Sequence, residues 1–223
     1  MINIATITQF LSGGVFLLAG VSLRKAKAFR SFPLFFWFLA IASYLWGIAS
    51  LLQDFGFMLE GYIPVPLGGL FYLLALIAVF VSLYFITSLL FDLLKPSFKE
   101  FILRVFLLWG AVMLFLVATH LPYPTWSGNG LVQWNLQTGV AIALGIFTGL
   151  FSIINTVMLL ILAAEAQNTR LKFRGFLLAI GLIMYSFSAG IQYFPINFQQ
   201  YLFVSTVTVL GSGLMFWGIN ITK

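Results

Sequence analysis

The chain has 223 residues, of which 62% are hydrophobic and only 7% are charged, and its formal net charge is +6. A soluble domain averages about 25% charged residues, so this composition excludes a fully water-facing surface and indicates lipid as the main solvent. The chain contains no cysteine, which excludes disulfides, thiolate metal sites and cysteine nucleophiles.

We predict an all-α integral membrane protein, a single domain over 1–223 that folds as a bundle of seven transmembrane helices of about 20 apolar residues each. Pro33 lies in the first turn of the second helix, where a missing N–H costs little. Pro122 and Pro124 end the fourth helix, and the Ser-Gly-Asn-Gly run at 127–130 predicts a tight turn in the longest loop. The predicted spans are 6–23, 32–52, 66–94, 101–119, 136–163, 175–193 and 199–219.

All eleven lysines and arginines fall on one side of this arrangement. Cytoplasmic segments retain Lys and Arg, so we expect a multi-pass protein of a prokaryotic cytoplasmic membrane, with its N-terminus outside and its C-terminus in the cytoplasm. No basic residue precedes the first span, so we expect that span to stay rather than to be cleaved as a signal peptide. The residues that set the topology are Arg24, Lys25, Lys27, Arg30, Lys95, Lys99, Arg104, Arg170, Lys172 and Arg174, with Lys223 at the end.

Spans 1–3 and 5–7 run in the same directions, which allows a three-plus-one-plus-three duplication. At a fixed offset of 139, six of the 24 positions from Leu39 to Tyr62 are identical. Identities of Leu and Ile arise often by chance in such a composition, so the Gln and Tyr matches carry most weight. Some transporters use a parallel repeat of this kind. The identical positions are Leu39-Ala40-Ile41 with 178–180, Gln53 with Gln192, Phe55 with Phe194 and Tyr62 with Tyr201.

Ionisable groups buried in hydrocarbon usually mark function, and we predict none near mid-membrane. Every lysine lies at a loop or at the C-terminus, which excludes a retinal Schiff base. His120 is interpreted as an interface residue, with a ligand or pH-sensing role as the alternative. Asp92, three residues before Lys95, is interpreted as half of a local ion pair, with a coupling carboxylate as the alternative. No catalytic constellation is found, so we expect no enzyme, cofactor or metal.

The remaining polar side chains within the predicted spans are uncharged. Asn155 should face the bundle, either to join helices or to contact a ligand, and Gly145 and Gly149 form a GxxxG pair that predicts close helix packing. The outer halves of spans 6 and 7 are comparatively polar, and with side chains of spans 2 and 3 they form either ordinary packing or a cavity open to the outside. The candidate ligand-binding residues are Trp46, Gln53, Tyr72, Asn155, Ser186, Ser188, Gln192, Tyr193, Ser205 and Thr208.

Two runs carry a family resemblance. The run 38–47, Phe-Leu-Ala-Ile-Ala-Ser-Tyr-Leu-Trp-Gly, resembles the second span of the seven-helix N-terminal sensor region of certain bacterial and archaeal histidine kinases. The run 172–181, Lys-Phe-Arg-Gly-Phe-Leu-Leu-Ala-Ile-Gly, is similar to that family's basic entry into the sixth span. The family continues into cytoplasmic signalling domains, whereas this chain stops at Lys223, so the resemblance implies signalling through a separate partner.

Three functions remain open. The first expectation is a non-enzymatic sensor or receptor that binds an apolar or neutral ligand in its outer half. The second is a small neutral-solute carrier, since the size and topology are also like those of sugar carriers with two three-helix repeats. Those carriers have hinge prolines within their spans, whereas the prolines here lie at span ends or in turns. The third is a structural subunit of a membrane complex, which would suit the 26 phenylalanines. The expected partners are the lipid bilayer and a signalling protein or other membrane subunits, not nucleic acid; a homo-oligomer stays open.

Overall fold

The protein is a bundle of long helices. Its structure, a computed structural model, describes residues 4–25, 29–58, 65–127, 131–194 and 197–221, without the side chains of 54–58, 65–66, 123–127 and 131–133. In this part of the chain, seven helices are long and apolar enough to cross a membrane, and the protein is an all-α, multi-pass membrane protein. The helices are α1 (Ile4–Lys25), α2 (Ser31–Met58), α3 (Val65–Leu94), α4 (Pro96–Thr119), α5 (Thr138–Glu165), α6 (Thr169–Ile191) and α7 (Phe198–Asn220).

Two helices begin five or six residues earlier than the sequence predicts. Helix α4 begins at Pro96 rather than at residue 101, because proline is well tolerated in the first helical turn. Helix α6 begins at Thr169 rather than at residue 175, where the Asn168 side chain accepts a hydrogen bond from the backbone N–H of Arg170 at 2.8 Å. The predicted inner loops were therefore too long. The basic residues that they were expected to hold lie on helices instead: Lys99, Arg104, Arg170, Lys172 and Arg174.

Six of the helices form a closed ring. In the order α1, α2, α3, α5, α6 and α7, each helix packs against its two neighbours, and α7 packs against α1 to complete the circle. Helix α4 packs against α3 and α5 from outside and is the least buried of the seven, with 28% of its most apolar stretch buried. The Phe106 ring of α4 meets Phe151 of α5 edge-on at 4.7 Å between ring centroids, which attaches α4 to the ring.

A short antiparallel hairpin connects α4 to α5, where the sequence predicts only a loop. Its strands are β1 (Tyr123–Ser127) and β2 (Leu131–Asn135), with Tyr123 opposite Asn135. Of the tight turn predicted at 127–130, residues 128–130 lie outside the described residues. The hairpin contacts α2 and α3, so it folds back over the end of the ring. A side chain on Gly69 of α3 would lie 2.9 Å from the Pro122 carbonyl oxygen, so this glycine lets the hairpin approach.

Helices α6 and α7 approach each other closely. A Cβ on Gly181 would lie 2.7 Å from the Gly211 carbonyl oxygen, and a Cβ on Gly211 would lie 2.9 Å from that of Gly181. The prediction of close packing at Gly145 and Gly149 is wrong within this chain. A Cβ on Gly149 would meet nothing within 4 Å, because this face of α5 lines an open apolar groove of about 740 Å³ beside α6 and α7.

The described lysines and arginines share one end of the bundle, named here the basic end, where α1, α3 and α5 finish and α2, α4 and α6 begin. Asp92 forms an ion pair with Lys99 at 2.6 Å, so the predicted local ion pair is present, with Lys99 rather than Lys95 as the partner. The Arg174 guanidinium donates to the backbone carbonyl of Gly218 at 2.9 Å and so caps α7. Lys27 and Lys223 lie outside the described residues. That the basic end is cytoplasmic stays a prediction.

Candidate ligand cavity

A small cavity lies inside the ring, at the end opposite the basic end. Its volume is about 50 Å³, and residues from five of the six ring helices and from β2 contribute to its wall. Because no single helix pair could build it, the cavity is a product of ring closure. It is lined by Ala5, Gln9, Trp46, Ser50, Tyr72, Trp134, Ala189, Gln192, Tyr193, Phe194 and Tyr201.

Three aromatic side chains form a continuous wall from the hairpin into the ring. The ring of Trp134 on β2 lies 5.2 Å from that of Tyr72 on α3, measured between centroids, and Tyr72 lies 6.1 Å from Trp46 on α2. These are ordinary aromatic contact distances. Gly68 leaves room for this wall, because a Cβ there would lie 3.2 Å from the Trp134 ring. The hairpin therefore contributes directly to the cavity.

Two polar atoms on side chains of wall residues are buried and have no hydrogen-bond partner among the residues that the structure describes. They are the Gln9 side-chain oxygen Oε1, an acceptor, and the Trp46 indole Nε1–H, a donor. Gln9 is 6% exposed and Trp46 is 8% exposed, so bulk water does not satisfy either group. Buried polar groups are normally paired, and each unpaired group calls for an explanation. A bound molecule offering one donor and one acceptor is one such explanation.

A second space of about 30 Å³ lies deeper in the ring and shares Trp46, Ala189 and Tyr193 with the first. At its wall, the hydroxyl of Tyr185 lies 3.3 Å from the hydroxyl oxygen of Ser43, which joins α6 to α2. The two spaces therefore lie next to each other and share part of their walls. The aromatic and hydroxyl groups thus continue from the end of the ring toward its middle.

The ring brings part of the predicted set together. Trp46, Tyr72, Gln192 and Tyr193 line the cavity, and Ser186 lines the deeper space. Gln53 and Ser205 are buried, but neither residue lines the cavity. In the described structure, Gln53 Nε2 and Ser205 Oγ have no hydrogen-bond partner.

The other predicted residues serve helix packing. The Thr208 hydroxyl donates to the Ser188 oxygen at 2.8 Å and joins α7 to α6. Asn155 is fully buried, as the sequence predicts, and its Nδ2 donates to the Thr87 oxygen of α3 at 3.0 Å. It lines neither space.

The sequence interpretation missed seven residues of the wall, of which four carry a polar group: Gln9, Ser50, Trp134 and Tyr201. Gln9 had a usable signal, because it is the one amide in the first predicted span and an amide in hydrocarbon requires partners. Trp134 lies on β2. Its place in the cavity depends on the hairpin, which the sequence interpretation did not contain. Ser50 and Tyr201 carry no distinguishing pattern.

The wall is suited to recognising a neutral molecule. Its polar groups are amides, hydroxyls and indole N–H groups, and among the side chains that the structure describes no Asp, Glu, His, Lys or Arg lines it. An ion placed here would lose its hydration without a charge to compensate it. Among the described residues, no group of three His, Cys, Asp or Glu side chains is arranged to hold a metal ion. Comparison with protein-family models, curated proteins and solved structures gave no match.

Proposed function

We propose that the chain is a non-enzymatic receptor or sensor of the membrane that binds a small neutral molecule in the ring cavity. The observation that carries this proposal is that two residues lining the cavity, Gln9 and Trp46, each hold a buried polar atom without a partner in the described structure. A buried polar group without a partner costs about 1–3 kcal/mol. A ligand that donates to Gln9 and accepts from Trp46 removes both costs.

The cavity volume limits the ligand and suggests how binding is transmitted. A water molecule takes about 10–15 Å³ of such volume, so the space of about 50 Å³ holds only a molecule of a few heavy atoms. A larger ligand requires the ring helices to separate. Binding then favours a more open arrangement, and the ligand shifts the helix positions by its preference for that state.

Topology gives the proposal its direction. With the basic end in the cytoplasm, the cavity faces the outside and the N-terminus lies outside. A change in the ring then reaches a separate signalling partner through the basic ends of the helices. The resemblance of the runs 38–47 and 172–181 to the seven-helix sensor region of histidine kinases supports this direction of signalling.

A carrier is the second candidate, and the order of the helices favours it. Helices α1–α3 and α5–α7 occupy equivalent places in the ring, because α3 meets α5 as α7 meets α1. Leu39 and Ala40 are buried and Ile41 is 46% exposed, and the offset residues 178–180 repeat this pattern, with Ile180 also 46% exposed. These observations support a parallel repeat around a central cavity, a plan that some transporters use.

The cavity proposal is tested with Gln9→Leu and Trp46→Phe, each of which removes one unpartnered polar atom. Glycerol, urea and acetamide serve as probes, because each is neutral and carries both a donor and an acceptor. We expect at least one probe to raise the melting temperature of the wild type in mild detergent. Each substitution should weaken its binding about 2- to 10-fold, as for one lost neutral hydrogen bond. Trp217→Phe, at an exposed indole of α7, is the matched control.

The outcomes separate the alternatives. Uptake of the bound probe by proteoliposomes would favour the carrier over the sensor. If no probe binds and both substitutions stabilise the protein, the cavity wall is ordinary packing. Constant association with other membrane subunits would then support the structural role instead.

A further inference from the structure

A separate cavity of about 360 Å³ lies at the basic end, between α1 and α2. Arg24, in the last turn of α1, and Arg30, just before α2, form its charged side, and both are exposed. Within the described ranges, neither guanidinium forms an ion pair with a carboxylate. The sequence contains no Asp or Glu before residue 54. The cavity therefore presents two positive charges without a compensating acid from α1 or the first half of α2.

Trp37 contacts the guanidinium of Arg24 at the cavity. A Cβ on Gly20 would overlap the Trp37 indole, so the bare glycine allows the indole to lie against α1. The Arg24 guanidinium carbon lies 5.8 Å from the centroid of that ring. This cation–π contact places the guanidinium over the indole. Tryptophan is also a residue of the membrane interface, the depth of lipid headgroups.

Apolar side chains lead from the cavity along both helices toward the membrane centre. On α1, Val21 and Leu17 precede Arg24 at helical spacing on one face and are 38% and 45% exposed. On α2, Leu34 lines the cavity and Ile41, two turns further along the same face, is 46% exposed. The charged cavity is therefore continuous with two lipid-facing apolar stripes.

We propose that this cavity binds one anionic phospholipid, with its phosphate between Arg24 and Arg30 and an acyl chain along the α1 and α2 stripes. A guanidinium matches phosphate oxygens in charge and geometry, and basic pockets between transmembrane helices bind anionic headgroups. The volume falls in the usual range of ligand sites, about 300–1,000 Å³. The apolar stripes favour a lipid over a soluble anion or an acidic peptide, because neither of these has chains to cover them.

The test is native mass spectrometry of the whole protein in mild neutral detergent, titrated with phosphatidylglycerol. We expect one lipid to bind to the wild type. The Arg24→Gln/Arg30→Gln variant should bind it about 10- to 100-fold more weakly, as for the loss of a charge-assisted hydrogen bond. Arg170→Gln/Lys172→Gln is the matched control, because it removes two exposed charges from the same end outside the cavity and should change nothing. Arg24→Lys/Arg30→Lys retains both charges and should bind with intermediate affinity.

Further arms identify the source of the anion. Phosphatidylcholine, which carries no net charge, should bind more weakly than phosphatidylglycerol. Glycerol phosphate, the headgroup without chains, should compete only weakly. Equal competition by glycerol phosphate would replace the lipid with a soluble anion. Equal loss of binding in the control variant would overturn the site in favour of general surface charge. None of these outcomes depends on the ring cavity, so the two proposals fail independently.

Discussion

The buried amide of Asn155 shows how a single neutral side chain joins two helices of the ring. Its Nδ2 donates to the Thr87 hydroxyl oxygen at 3.0 Å. This bond links α5 to α3, two ring neighbours that are not consecutive in the chain. We predict a favourable coupling energy of about 0.6 kcal/mol between the two side chains, the average for such bonds in membrane proteins, and no more than about 1.7 kcal/mol.

The measurement is a double-mutant cycle with Thr87→Val and Asn155→Leu, read from unfolding in mixed detergent and sodium dodecyl sulfate. Thr206→Val is the control, because that exposed hydroxyl donates to the backbone oxygen of Leu202 in its own helix. We expect it to be close to neutral. Additive effects of the two test substitutions would show that the hydrogen bond contributes nothing.

The inward orientation of Asn155 was predictable, because an amide in hydrocarbon must find a partner. Its partner Thr87 was not, since the sequence does not state which helices meet. The same reason explains why four of the predicted ligand-binding residues reached the cavity wall and Ser188 and Thr208 did not. The sequence predicts at which depth of the membrane a polar residue lies, whereas the neighbour that its side chain contacts depends on how the helices pack.

Among the elements, the α6–α7 pair depends on the absence of side chains at Gly181 and Gly211. We predict that Gly211→Val destabilises the protein by about 1–3 kcal/mol, the usual cost of overpacking. Its Cβ would lie 2.9 Å from both the Gly181 oxygen and the Tyr185 nitrogen, which are backbone atoms and cannot rotate away.

Gly213→Val provides the control on the same helix, because a Cβ there would meet nothing within 4 Å. We expect its effect to stay within about 0.5 kcal/mol. Both variants are compared with the wild type by detergent unfolding. Equal destabilisation by the two substitutions would mean that helix propensity, rather than the close approach, sets the cost.

The existence of the seven helices was predictable from apolar length alone, but the hairpin was not. Pro122 and Pro124 correctly indicated that the fourth helix ends, yet two strands of five residues are too short to show a clear alternation. The GxxxG pattern at Gly145 likewise indicated a small-residue face without telling which surface it meets. The glycines that bring helices together, Gly181 and Gly211, belong to different helices and form no motif in the sequence.

For the whole molecule, the one-sided distribution of basic residues predicts an orientation. Because the chain has no cysteine, an introduced cysteine is its only thiol. In intact cells, a membrane-impermeant maleimide should label Gln199→Cys, exposed at the start of α7, and should not label Ser97→Cys, exposed at the start of α4. After permeabilisation both should react. The reverse pattern in intact cells would place the basic end outside and overturn the predicted topology.

Part of the ring was also readable from the chain. Short connections place consecutive helices side by side, which accounts for the two groups α1–α3 and α5–α7. The contact of α7 with α1 and the position of α4 outside the ring depend on which surfaces pack best. A linear pattern of hydrophobicity does not contain that information.

The peripheral position of α4 has a consequence of parity. Three crossings leave the chain on the side of the membrane opposite to where it began, and a fourth crossing returns it. Helix α4 therefore lets α5, α6 and α7 run in the same directions as α1, α2 and α3. Without it, the second half of the chain would enter the membrane inverted, and Gln192 would lie at the end away from Gln9. The least buried helix thus determines the orientation of α5, α6 and α7 relative to α1, α2 and α3.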